Sequence, residues 1–358
     1  MKRKMISLLL VLCMLVSLMP TFSITASAAE EPDYLTFTGT EEFTLFITES
    51  SRCVITGTWA SDNTMNASWK SGTLEYSTDG ENWTNVTAAP QETHTRYQNS
   101  KKTVTATGYV IPSGSQKVLY LRGTGIQTVI SSDYEFYYNQ DRYNLNWELT
   151  PATETGTVAA SGNIMTLLDY NDPDNAVMDE YCFYSLFRGF TALTAAPELP
   201  ATELSKGCYR NMFDGCTSLT AAPELSSTEL AVGCYSSMFE ESGLTTAPEL
   251  PAKIMQEDCY FGMFEGCSYL KEAPELPATQ LADSCYANMF VDCYSLQKAP
   301  DLPAIEIPYD AYDCMFCYCI ALQEPPEIAA EKVASLEDGG CEMLKYGIRE
   351  SIPTGWAM

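Results

Sequence analysis

The sequence predicts an α/β repeat solenoid preceded by an all-β, sandwich-like domain, and three observations carry that prediction. First, the pattern Cys-Tyr-x-x-Met-Phe-x-Gly-Cys-x-x-Leu-x-x-Ala-Pro-Glu-Leu-Pro-Ala-Thr recurs about every 26 residues. Its leading Cys falls at Cys182, Cys208, Cys234, Cys259 and Cys285, and the register closes at Ala311, beside Tyr312. A fixed period of this length marks units that bury their apolar faces only by stacking on their neighbours. Second, residues 30–150 carry no such repeat but alternate apolar with polar side chains, which is the period of half-buried strands. Third, the chain holds a single His, His94, which removes most nucleophilic and metal-assisted chemistry at the outset.

In chain order, Lys2, Arg3 and Lys4 precede an apolar run from Met5 to Met19, and Ala26-Ser27-Ala28 offers small residues for cleavage. Residues 1–28 therefore read as a secretory signal. Its apolar run is too short for a good membrane span, and no later segment is apolar enough for one. The expected location is secreted or at the cell surface. Losing 1–28 removes three basic residues and no acidic ones, leaving 17 basic against 47 acidic, a net charge of −30. Such a field excludes nucleic acid as a partner and favours cations, basic partners or neutral glycans.

Within 30–150, Thr44–Thr48, Thr103–Thr107 and Lys117–Leu121 alternate as strands. Asp79-Gly80, set between Leu74–Ser77 and Trp83–Val86, is a hairpin signal. Trp59, Trp69, Trp83 and Trp147 fall here, either as core or as a sugar platform. Gly156–Leu168 reads as the first turn of the solenoid, covering the open end of its core. The acidic stretch Asp169–Asp174 has calcium-loop composition but lacks the Gly and distal Glu of an EF-hand loop. The solenoid is expected over 156–346, with 347–358 as a C-terminal tail or cap.

One unit shows how the repeat is built. Across Thr202–Gly215, a 100° wheel gathers Leu204, Cys208, Tyr209, Met212 and Phe213 on one half. Glu203, Lys206, Arg210, Asn211 and Asp214 fall on the other. That partition predicts an amphipathic helix of about three turns, with Thr202 as N-cap and Gly215 past its end. The following Ala222-Pro223-Glu224-Leu225 is expected to be extended, because Pro denies helix to itself and to its predecessor. Each unit thus predicts one helix and one extended segment, and the Pro in each unit leaves only a narrow, interrupted ladder.

Met212-Phe213-Asp214-Gly215-Cys216-Thr217-Ser218-Leu219 followed by Pro223-Glu224-Leu225 resembles the bacterial BspA-type leucine-rich repeat. The resemblance covers roughly residues 156–346, and Leu74–Gly80 with Leu119–Gly123 resembles the β-domain that often precedes such repeats. It implies an α/β leucine-rich-repeat solenoid on an exported or cell-surface protein with a binding or adhesion role. It implies no catalytic residues and no cofactor.

The cysteines read mainly as core. Leading and corner positions lie eight residues apart, a helix length that exceeds the roughly 7 Å Cα reach of a disulfide. The two columns also do not vanish together: Cys182 has Phe190 at its corner, and Cys319 has Ala311 at its lead. Buried, reduced thiols follow. The denser Cys314, Cys317 and Cys319, with Cys341, leave a local disulfide open, and a zinc site would lack ligands. No Gly-x-Ser-x-Gly elbow, phosphate loop or His-rich signature is present, so no catalytic, metal or cofactor residue is assigned. Leu199–Thr202 and Leu276–Thr279 resemble the start of a wall-sorting signal, but they sit mid-chain before Glu203 and Gln280. Covalent wall anchoring is not supported.

The sharpest functional candidate is an acidic column, Glu198, Glu224, Glu249, Glu275, Asp301 and Glu327, one per unit at one place. At strand spacing, neighbours would repel by roughly 0.8 kcal/mol each in a water-like dielectric. Either a partner or a solvated edge explains it, and the period leaves open whether the Glu or the adjacent Leu points inward. The expected function is recognition of an extracellular protein, host or microbial, through the solenoid face. The alternatives are glycan binding by the N-terminal β-domain and a glycan-active enzyme.

Overall fold

The computed structural model describes residues 33–55, 71–99, 102–127, 149–151, 156–323 and 326. The expected signal segment, Trp59, Trp69, Trp147, Glu327, Cys341 and the expected cap lie outside these residues. The strands are β1 (Leu35–Gly39), β2 (Thr44–Ile55), β3 (Ser71–Ser77), β4 (Thr84–Asn85) and β5 (Gln91–Asn99). They continue with β6 (Lys102–Pro112), β7 (Val118–Gln127), β8 (Leu149–Pro151), β9 (Val158–Ser161) and β10 (Leu193–Ala195).

Two sheets form, in the orders β10-β9-β1-β7-β3-β4 and β5-β6-β2-β8. The alternating stretches singled out in the sequence lie on β2, β6 and β7. Leu35, Phe37, Leu119 and Leu121 of the first sheet share one buried cluster with Leu45, Ile47, Tyr109 and Ile111 of the second. The Asp79-Gly80 signal does mark a hairpin, since β3 pairs antiparallel with β4 through Glu75↔Asn85 and Tyr76↔Thr84. Its loop is longer than two residues, and Asp79 is the hub. Its carboxylate accepts the N–H groups of Asn82 and Glu81 at 2.8 and 2.9 Å. These bonds, Asn82's foremost, hold the Asp79 carboxyl well below the usual carboxylate range.

The repeats grow directly from this sheet. Strand β9 is antiparallel to β1 on one side and parallel to β10, the first strand of the repeat region, on the other. The Gly156–Leu168 segment is therefore a splice and not a free lid, because the β-domain itself occupies that end of the stack. A 3-10 turn at Ile164–Leu167 follows β9. Behind it the Ile126 N–H bonds to the Leu168 carbonyl at 3.1 Å, and the Tyr170 N–H to the Gly123 carbonyl at 2.9 Å. Gly123 is required by this close approach: a Cβ there would lie within 1.8 Å of the Leu167 carbonyl oxygen. The Phe37 and Phe187 rings, 6.1 Å apart, carry one core across the splice.

The predicted helix is absent. Thr202–Gly215 is a ribbon of overlapping turns, and no α-helix occurs among the described residues. Alternate N–H groups close turns within the coil: Cys208 to Ser205, Arg210 to Gly207, Met212 to Tyr209 and Asp214 to Asn211. The intervening ones reach the next coil: Gly207 to Val232, Tyr209 to Cys234, Asn211 to Ser236 and Phe213 to Met238, at 2.8–3.0 Å. Every fourth residue takes a left-handed conformation, with φ of 58° at Gly207, 56° at Asn211 and 72° at Gly215. The same three places are left-handed in each coil, for example Gly233, Ser237 and Glu241, then Asp258, Gly262 and Gly266. A right-handed helix admits none of these.

Magnitude settles which architecture fits the core. Packed helices lie about 8–10 Å apart. Here the Phe183–Tyr209–Tyr235–Tyr260–Tyr286–Tyr312 rings stack at 5.8–5.9 Å. The Phe187–Phe213–Phe239–Phe264–Phe290–Phe316 rings stack at 5.4–5.9 Å. That is near strand spacing, and only backbones bonded coil to coil come so close. On the opposite side the coils meet through isolated parallel bridges, among them Glu203↔Glu229 and Ala221↔Thr246. The ladder is thus interrupted, as a Pro in each unit leads one to expect.

Candidate functional site

The extended Pro-Glu-Leu segments resolve the question of which side chain points inward. Leu199, Leu225, Leu250, Leu276 and Leu302 are buried, while Glu198, Glu224, Glu249, Glu275 and Asp301 are exposed. Strand alternation requires this opposition once Leu enters the core. Glu198 is further fixed by its bridge to Asn163, its N–H reaching the Gly162 carbonyl at 2.9 Å. Five of the six predicted acids thus form one exposed file along successive coils; Glu327 lies outside the described residues. Large exposed apolar side chains gather in the later coils, including Tyr269, Tyr294, Tyr309, Tyr318 and Ile320.

A second acidic column escaped the sequence reading. Asp214, Glu240 and Glu265 occupy one place in three successive coils, at the outer edge of the ribbon, with Arg188 at the same place in the coil before. Arg188 Nε lies 2.7 Å from Asp214 Oδ2, and Asn211 Nδ2 donates to the same oxygen at 3.4 Å. Asp214 is only 6% exposed. Burial raises its carboxyl above the usual range against the pull of Arg188. Burial, then the Asp214 charge, pushes Glu240 up to about 8. Burial, then Asp292 and Glu241, pushes Glu265 up to about 7. The signal that could have found this column is the place itself, one residue before the left-handed 189, 215, 241 and 266 positions, in four consecutive units.

Among the described residues, Cys208, Cys216, Cys234, Cys259, Cys267, Cys285, Cys293 and Cys319 are free thiols, and all eight are buried. Corner cysteines do more than fill space. Cys216, Cys267, Cys293 and Cys319 each donate S–H to the carbonyl of a Phe in the preceding coil, at 3.0–3.1 Å. Phe190 and Ser242 take the corner in the two units without a cysteine there, and the Ser242 hydroxyl lies 3.4 Å from the Cys267 sulfur. The Ser242 unit is a residue short, and Gly243 absorbs the deletion, because a Cβ there would lie 2.1 Å from the Thr217 carbonyl oxygen. Burial pushes the Cys267 and Cys319 thiols up to about 12, which makes them inert as nucleophiles.

Trp83, the described member of the tryptophan set, has the Arg122 guanidinium 3.9 Å from its ring centre. Tyr170 covers the guanidinium at 4.2 Å, and Glu75 pairs with it at 2.8 Å. This stack ties β3, β7 and the hairpin loop to the start of the repeats and occupies one face of the indole. In the acidic stretch, Asp169 Oδ1 accepts the Asn171 N–H at 3.0 Å, and Asp172 Oδ1 accepts Asn175 Nδ2 at 2.8 Å. Those carboxylates serve their own turns. Among the described residues, no group of three or more His, Cys, Asp or Glu is arranged to hold a metal. No helix among them is long and apolar enough to cross a membrane. No family model, curated protein or solved structure matches this chain.

Proposed function

We propose that this is an exported or cell-surface binding protein. In this reading its coils form a BspA-type leucine-rich-repeat solenoid that recognises an extracellular protein through the exposed acidic file. The observation that carries the reading is the uniform outward placement of Glu198, Glu224, Glu249, Glu275 and Asp301 over buried leucines. A file of like charges held at coil spacing is costly unless a counter-charge meets it. A net charge of −27 over the whole sequence steers basic surfaces toward it. Exposed tyrosines in the later coils supply the amphipathic contact area that protein interfaces favour.

The test is a binding panel of immobilised extracellular-matrix proteins and neutral glycans, probed with the chain and with a Glu224→Gln, Glu249→Gln, Glu275→Gln variant. The reading expects a protein ligand whose retention drops at least tenfold in the variant. Retention only by glycans, equal for both chains, would transfer the function to the β-domain.

A further inference from the structure

We propose that the column of Asp214, Glu240 and Glu265 makes the stacking of the central coils depend on bound protons, so that they lock in mildly acidic medium and loosen as it turns alkaline. Geometry carries this. The three carboxyls share one place in three coils whose backbones are held in strict register. The Gly215 N–H donates to the Glu240 carbonyl at 2.8 Å, Glu241 to Glu265 at 2.7 Å, and Gly266 to Val291 at 2.8 Å. Unlike the exposed file, Asp214 is buried and Glu240 and Glu265 are half-buried, so these side chains have less room to splay into water.

The groups facing the column are mostly acidic or neutral. Arg188 meets it at the Asp214 end. Glu241 and Asp292 act on it from the neighbouring place, and Asp292 is itself held by the Tyr294 hydroxyl at 2.9 Å. Asn211 and Ser237 donate neutral hydrogen bonds to Asp214 and Glu240, and the Cys267 thiol lies within the field of Glu240. The missing side chain of Gly262 leaves Ser237 Oγ and Glu265 Oε2 3.1 and 3.3 Å from where its Cβ would be. One guanidinium facing three stacked carboxyls leaves a surplus of negative charge that protons neutralise most cheaply.

The direction follows from linkage. Glu240 and Glu265, raised from 4.5 to about 8 and about 7, bind more protons folded than unfolded. Their contribution is complete below about 4.5 and is lost as pH climbs through about 7 and then about 8. The same coils carry Glu224, Glu249 and Glu275. Resting on the reading of that file as the contact face, the proton count then sets how firmly it is presented.

The test is urea unfolding of the full chain at pH 5, 6, 7 and 8, comparing the unaltered protein with a Glu240→Gln, Glu265→Gln variant and an exposed Glu229→Gln control. Stopping at pH 8 limits the ionisation of unfolded thiols, which titrate near about 8.5, and what remains of it cancels, like His94, because all three chains carry those residues. The unaltered protein and the control should show an unfolding constant that rises at least ~100-fold across the range. The double variant should show less than half that rise on a logarithmic scale. Equal slopes in all three would overturn the proposal. If the double variant does not fold, amide exchange in the unaltered protein decides. Protection of Gly215, Glu241 and Gly266, corrected for base catalysis, should fall from pH 5 to pH 8, and constant protection would overturn the proposal. Both readouts are independent of any partner, so a failed binding panel leaves them standing.

Discussion

Replacing Glu241 by Gly and, separately, by Ala gives opposite orders of stability for a ribbon and a helix. Glu241 is exposed and sits at φ 53°, in a column whose other members include Gly189, Gly215 and Gly266. Both substitutions remove the same charge, and both keep the N–H bond to the Glu265 carbonyl at 2.7 Å, so their difference isolates the backbone. A left-handed conformation costs an L-residue about 1–2 kcal/mol. Glycine escapes that cost but gains roughly 0.4–1 kcal/mol of unfolded-state entropy that opposes folding. The ribbon therefore predicts the Gly variant more stable than the Ala variant by about 0.5–1 kcal/mol. In a helix, Gly would be less stable than Ala by about 0.8–1 kcal/mol. The assay is urea unfolding with equal m-values, read as a midpoint difference. An Ala variant as stable as the Gly variant, or more stable, would refute the ribbon at this coil.

Other expectations follow from the stacked columns. Phe239→Ala removes a fully buried ring lying between Phe213 at 5.6 Å and Phe264 at 5.9 Å. Because backbone bonds keep those coils from collapsing into the cavity, the loss should reach about 4–5 kcal/mol by urea unfolding; Tyr269→Ala, at an exposed site, should cost under about 0.5 kcal/mol. Cys267→Ser should be tolerated, as Ser242 already is at a corner, whereas Cys267→Ala should cost about 1 kcal/mol more by deleting the donor to the Phe239 carbonyl. Thiol titration with a disulfide reagent at pH 8 should find the cysteines of the stacked coils unreactive until the chain unfolds; rapid labelling of the native protein would count against their burial.

The sequence disclosed the period, the alternating strands and the acid column, but misassigned the ribbon, and the reason is numerical. Buried pairs recur at Cys208-Tyr209, Met212-Phe213 and Cys216, a spacing of four. Over three turns, four is indistinguishable from 3.6 on a wheel. The discriminating marks were Gly207, Asn211 and Gly215, also four apart, all residue types that tolerate positive φ. Gly215 alone had been given a role, as the residue past a helix end. The corner cysteines were legible as core, since Phe190 substitutes at one of them. Their hydrogen bonds were not, because the acceptor is a carbonyl 28 or 29 residues upstream. The acid column was readable because Pro-Glu-Leu is a conspicuous string, but which of Glu and Leu faces outward was not. Asp214, Glu240 and Glu265 were not, because their burial depends on the ribbon, and a wheel drawn for a helix sets Asp214 in water.

The account's central claim, that the exposed file of acids is the contact surface, is tested most directly with a defined basic probe. Titrating an oligolysine peptide into the chain by calorimetry at low and at physiological ionic strength should give binding that weakens with salt. The Glu224→Gln, Glu249→Gln, Glu275→Gln variant should bind at least ~10-fold more weakly at low salt, a loss of about 1.4 kcal/mol, with an unfolding midpoint at pH 7 no lower than that of the unaltered chain. Equal affinity for the two chains would contradict the claim.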